Sequence, residues 1–165
     1  MAERVRGDTF DRARLVAVVM MVVASAAAFA GALMNWTTRG VLPPLPDTTF
    51  EGEPPQPTEP ITGVEAGDGN IIIVAAILML IGATLLGVRR RSAWAWLSFL
   101  GSVVAGGIAI AAWRGIDDIN SGFSQRADVI GDIDPAAGLV VVAVAAFTGL
   151  VGSILGIVAT PEVEA

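Results

Sequence analysis

Five aspartates in two groups are the side chains best suited to chemistry: Asp117 with Asp118, and Asp128 with Asp132 and Asp134. Clustered carboxylate oxygens suit a hard cation. Neither group follows the twelve-residue calcium loop with its central Gly and terminal Glu, so the spacing predicts no specific metal site. The remaining catalytic vocabulary is sparse. The 165 residues include no His, Cys or Tyr, and every basic residue is Arg. That removes thiol nucleophiles, disulfides, haem ligation through His and the usual zinc sites. A base would have to be a loop carboxylate, and a nucleophile a lone Ser or Thr. The expectation is a non-enzymatic chain with no cofactor and no metal.

The elements that would position these groups are four apolar runs, at 15–34, 71–88, 93–113 and 136–159, none with a charged residue. At about 1.5 Å per residue, some 20 residues cross a hydrocarbon core of roughly 30 Å. Only helices or closed barrels satisfy every backbone group there, and the runs lack the alternation of barrel strands. The predicted fold class is an all-α membrane protein: a four-transmembrane-helix antiparallel bundle with two extracytoplasmic loops. Residues 1–14 read as a short, partly frayed cytoplasmic lead, 35–70 as a Pro-rich acidic outer loop and 89–92 as a basic inner turn. Residues 114–135 are a second acidic outer loop, and 160–165 a cytoplasmic tail. No ordinary soluble domain fits in what remains.

Charge sets the orientation. Arg4, Arg6, Arg12 and Arg14 precede the first run, and Arg89, Arg90 and Arg91 separate the second from the third. By the positive-inside rule both termini are cytoplasmic, in the plasma (inner) membrane. The net charge of −6 then divides into an outer face at −8 and an inner face at +2. An outer face of that sign attracts cations and repels anionic polymers, which excludes nucleic acid as a partner. The first run, with Ala24, Ala26, Ala28 and Ala30 near its end, has features of a cleavable signal peptide, but its length favours an uncleaved span.

Within the spans the polar side chains are Ser25, Thr84, Ser98, Ser102, Thr148 and Ser153. Their expected state is a hydroxyl bonded to the preceding helical turn. Carriers and proton relays place ionisable groups in the membrane, so a monomeric carrier is disfavoured. Small residues recur at helical spacing: Ser98, Ser102, Gly106 and Ala109 on span three, and Ala145, Gly149 and Ser153 on span four. Gly152 and Gly156 form a GxxxG pair. Such stripes let helix backbones approach closely, and in one chain this predicts packing within the chain before a homodimer seam. Trp36, Trp94, Trp96 and Trp113 fall where interfacial aromatic belts are expected.

Seven of the nine prolines lie at 43–60, which forbids helix and favours extended chain. The Asn35-Trp36-Thr37 sequon lies too close to the membrane to be read as an acceptor. Gly67-Asp68-Gly69-Asn70 reads as a turn supplying an N-cap to span two. Asp134-Pro135 reads as N-cap and first helical residue of span four. Ile116, Ile119 and Phe123 are spaced for a short amphipathic helix on the outer surface. The pair Gly67-Asp68 before span two and Gly131-Asp132 before span four raises a duplication of two parallel hairpins as a further possibility.

Trp36, Gly67-Asp68-Gly69, Arg89-Arg90-Arg91, Gly138-Leu139 and the Gly149 to Gly156 stretch together resemble the small four-span membrane proteins abundant in actinobacteria. The resemblance spans nearly the whole chain, though the 43–60 stretch is longer than in that group. It implies the four-span topology and a bacterial source with a GC-rich genome, which the Ala-, Gly-, Val- and Arg-rich composition also suggests. It transfers no site. Beyond the lipid bilayer, the expected partner is another membrane protein or a second copy. The chain would be an accessory or interaction subunit acting through its outer loops and small-residue helix faces. Trp36, Phe50, Trp113 and Phe123 are the candidate contacts. The alternative is a homo-oligomeric pore or small exporter subunit with an acidic outer mouth.

Overall fold

The computed structural model describes residues 2–38, 41–42, 56–57, 60–124 and 134–160. Four helices account for most of them: α1 (Ala2–Leu33), α2 (Asp68–Arg89), α3 (Ala93–Ser124) and α4 (Ala137–Val158). Two short strands, β1 (Val41–Leu42) and β2 (Gln56–Pro57), lie between α1 and α2. Each helix contains a stretch long and apolar enough to cross a membrane, at Phe10–Leu33, Asp68–Arg89, Ala93–Asp118 and Ala137–Val158.

The helices form a bundle in which α1 packs on α2 and α4, and α3 packs on the same two neighbours. The end of α1 meets the start of α4, where Gly31 lies against Gly138 and Val142. Near the other end of this pair, Gly152 lies against Ala17, Met20 and Met21. Two apolar clusters fill the interior. One gathers Ala28, Ala32, Trp36, Ile72, Ile116 and Leu139, and the other Ala17, Met21, Ala83, Leu86 and Ala95. Alanine dominates both because close backbones leave little room for longer side chains. Large apolar residues such as Val19, Val23, Ile77 and Val144 point outward instead.

Two helices are longer than expected. The lead 1–14, read as partly frayed, is helical from Ala2, and Arg14 pairs with Asp11 at 2.8 Å one turn away. The segment after Trp113, read as a separate surface helix, is the continuation of α3 to Ser124. Once a packed helix exists, each added residue gains a hydrogen bond without a new nucleation cost, so extension is cheap. Ile116 is buried within this continuation rather than lying on a membrane surface.

The two expected N-caps fare differently: the Gly67-Asp68-Gly69-Asn70 turn supplies that of α2, whereas Asp134-Pro135 does not supply that of α4. Helix α2 starts at Asp68 with Gly67 as its N-cap, and no side chain caps it. Gly67 has φ +89°, a left-handed conformation that glycine adopts without steric cost. Helix α4 starts at Ala137 with Ala136 as its N-cap, again without a side-chain bond. Pro135 therefore lies outside the helix, because Asp134 and Pro135 pair with the segment following α1.

Hydroxyl groups divide by what they bond. Thr84, Ser102, Thr148 and Ser153 donate to the carbonyl four residues back, as expected. Ser25 and Ser98 do not. Ser25 Oγ donates to Ala76 O at 2.7 Å, tying α1 to α2, and Ser98 Oγ donates to Met79 O at 2.7 Å, tying α3 to α2. These two bonds cross between helices because the neighbouring backbone is near enough to reach.

Candidate functional site

The chain leaving α1 is knitted between two distant segments, and this knot forms a cap over one end of the bundle. Trp36 N–H donates to Ile61 O at 2.9 Å, and Gly63 N–H to Met34 O at 3.3 Å. On the opposite side Thr38 N–H donates to Asp134 O at 2.9 Å and Ala136 N–H to Trp36 O at 2.8 Å. Gly138 N–H completes that side by donating to Asn35 O at 3.0 Å. Side chains reinforce both edges: Ile61 N–H donates to Thr37 Oγ1 and Asp134 N–H to Thr38 Oγ1. Residues 35–38 are thus the central strip of a small three-segment arrangement. Beyond it β1 and β2 pair antiparallel, Val41 with Pro57 and Leu42 with Gln56, one residue out of register with the pairing of Asn35 with Thr62.

Trp36 anchors the cap from beneath. Its side chain is 3% exposed and its indole N–H donates to Gly31 O at 2.9 Å. Gly63 lies directly on the ring, where a Cβ would overlap the indole atoms. This placement differs from the one expected. The expectation of an interfacial anchor and partner contact does not hold at Trp36, because a ring buried under Gly63 presents no surface for docking. Composition and position are the same for an interfacial and a buried indole, since both bury a large apolar body and satisfy one N–H.

The return to α2 is held by a motif that the sequence carried unread. Thr62-Gly63-Val64-Glu65 has the S/T-x-x-E spacing of a capping box. Thr62 N–H and Oγ1–H donate to Glu65 Oε2 at 2.9 and 2.8 Å, and Glu65 N–H donates back to Thr62 Oγ1 at 3.3 Å. The Thr62 backbone bond, then the Thr62 hydroxyl bond, hold the Glu65 carboxyl below its ordinary 4.5. A depressed carboxyl stabilises the folded form above the unfolded value and loses that contribution as pH falls through the folded one. Protection of the Thr62 amide, relative to its intrinsic exchange rate, is accordingly expected to fall below about pH 4.5, and that protection should not vary with pH there in Glu65→Gln. Hydrogen exchange across pH 3 to 7 measures this.

The other candidates fall as follows. Trp113 stands 42% exposed on α3. Seventeen residues earlier, about 26 Å along the helix, Trp96 is 56% exposed and meets Phe99 edge-on at 5.3 Å. The two indoles bracket a length suited to a hydrocarbon core. Phe50 lies outside the described residues, and Phe123 is described only as part of the α3 backbone. Ser98, Ser102, Gly149, Gly152, Ser153 and Gly156 are all buried inside the bundle, while Gly106 is half-buried. The GxxxG pair of α4 faces Ala17 and Met21 of α1 and Leu86 and Ala95 of α2 and α3, so it serves packing within the chain. Asp117 and Asp118 are exposed on α3, and Asp128 and Asp132 lie outside the described residues. Among the described residues no three acidic side chains gather as a metal site.

Compared with protein-family models, curated proteins and solved structures, the chain matches none.

Proposed function

We propose that this chain is a multi-pass plasma-membrane protein, an antiparallel bundle with cytoplasmic termini. It would act without catalysis as an accessory subunit that meets a membrane-protein partner through its extracytoplasmic side. The observation that carries the reading is the knitted cap. Segments from three parts of the chain are tied by backbone hydrogen bonds into one platform, with Thr38, Ile61 and Glu65 exposed on it. A platform held this way loses little conformational freedom when something binds it. The Arg-rich turn at 89–91 lies at the other end of α2, which supports placing the cap outside and the turn inside.

The alternative, a homo-oligomeric pore, requires hydroxyl and glycine faces turned toward a shared axis. Ser98, Gly149 and Ser153 are buried in the core of the single chain, which favours the accessory reading over a pore lined by them.

Native mass spectrometry of the protein extracted into nanodiscs from its own membrane tests the proposal. The expected result is a stoichiometric second protein that is lost when Ile61→Asp and Trp113→Ala are combined, with the bundle intact. Phe50 and Phe123 extend the scan. Recovery of this chain without any second protein overturns the accessory reading.

A further inference from the structure

We propose that a second copy of this chain docks along the α3–α4 face, with Phe147 of each copy seated in the groove of the other. The groove between α3 and α4 holds about 480 Å³, and Ser102, Gly106, Gly107 and Ala146 help to line it. Phe147 lines the same groove and is 70% exposed. A protruding ring and a hollow able to take one therefore lie side by side.

Glycine usage at this hollow contrasts with glycine inside the bundle, although Gly115 on α3 is equally open. A Cβ at Gly31, Gly82, Gly138 or Gly156 would meet a neighbour within the chain at 2.8 Å or closer. At Gly107 it would meet nothing within 4 Å, and at Gly106 only Ala146 Cβ at 3.5 Å, an ordinary contact. Glycine costs helix stability relative to alanine, so packing within one chain gives no return for this adjacent pair. Close approach by another helix does.

The bilayer then limits the geometry. Copies inserted alike share one orientation, so a two-fold axis runs along the membrane normal and only features at equal depth meet. Gly106 faces Ala146 across the groove, which puts Phe147 at the depth of Gly106 and Gly107. The required match is present. This step rests on the membrane reading of the four helices and not on the partner assigned to the cap.

Charge points the same way. Residues 103, 107, 110, 114 and 117 recur at helical spacing on α3, so the stripe bordering the groove continues past Trp113 into Arg114 and Asp117. Both are exposed. Arg114 and Asp117 differ in depth by about 4.5 Å, a step that an Arg side chain spans, so in two parallel α3 helices Arg114 of each copy reaches Asp117 of the other and the pairing is reciprocal. One face thus carries a knob, a hollow, a cation and an anion, each where its complement on a symmetric copy would fall.

Because the native chain has no cysteine, Gly107→Cys introduces a single thiol into the hollow. In native membranes under mild oxidation it is expected to give at least about tenfold more disulfide dimer than Val74→Cys, placed on an exposed position of α2. In liposomes at matched density, Gly107→Leu is expected to lower the dimer fraction measured by single-molecule photobleaching, without lowering the unfolding midpoint. Arg114→Asp alone should weaken the dimer, and Arg114→Asp with Asp117→Arg should restore it. Equal cross-linking at positions 107 and 74, or a double swap no better than the single, overturns the proposal.

Discussion

Trp36→Ala is expected to destabilise the protein by about 3–5 kcal/mol, the usual cost of truncating a buried tryptophan. The side chain belongs to the same apolar cluster as Ile72, Ile116 and Leu139, which come from α2, α3 and α4. Its backbone also bonds Ile61 on one side and Ala136 on the other. Removing the ring leaves a cavity beneath Gly63 that these backbone bonds keep from collapsing. Trp36→Phe should retain most of the burial while losing the indole bond to Gly31 O, at about 1 kcal/mol. Equilibrium unfolding in mixed micelles gives both values, and faster exchange of the Gly63 amide in Trp36→Ala would localise the damage. A loss below about 1 kcal/mol for Trp36→Ala would mean that the cap and the bundle are not coupled.

The second large effect is expected at Gly82. A Cβ there would lie 2.5 Å from Ser98 Oγ, 2.7 Å from Trp94 O and 2.8 Å from Ser98 N. Two of these atoms are backbone, so no rotamer change makes room. Gly82→Val must push α2 and α3 apart, which also breaks the Ser98 to Met79 hydrogen bond. Overpacking costs about 1–3 kcal/mol and sometimes more, and the lost interhelical bond adds to it. Gly87→Val is the control, because a Cβ at Gly87 finds only Val18 atoms at 3.9 Å. Gly82→Val should unfold at clearly lower denaturant than Gly87→Val. Equal midpoints would show that the two helices are not in the contact described.

What the sequence made legible follows from which interactions leave a local trace. Charge-free runs mark the four helices because each must satisfy its backbone internally and cover itself with apolar surface. The small-residue stripes at Ser98, Ser102, Gly149, Gly152, Ser153 and Gly156 are legible because close backbones tolerate nothing larger. The cap was not legible. Thr38 and Asp134 are joined across ninety-six residues, and neither carries a sign of the other. For the same reason Asp134-Pro135 resembled an N-cap, since the strand-like partner that claims it lies after α1. Ser25 and Ser98 read as back-bonded hydroxyls because the distance to a neighbouring helix is a tertiary quantity. Thr62 and Glu65 were within reach, as their spacing alone signals the box they form.

The cap also has a place in the order of events during synthesis. Residues 35–38 leave the ribosome about a hundred residues before Asp134, Ala136 and Gly138, which complete their hydrogen bonds. Until the fourth helix is made, the backbone beside Trp36 has one edge without its native partners. Closure of that edge therefore waits for the segment that leads into α4. A polypeptide cut short before α4 displays an open backbone edge and the apolar face of α1 that α4 would cover, the kind of surface by which quality-control machinery separates unfinished products from finished ones.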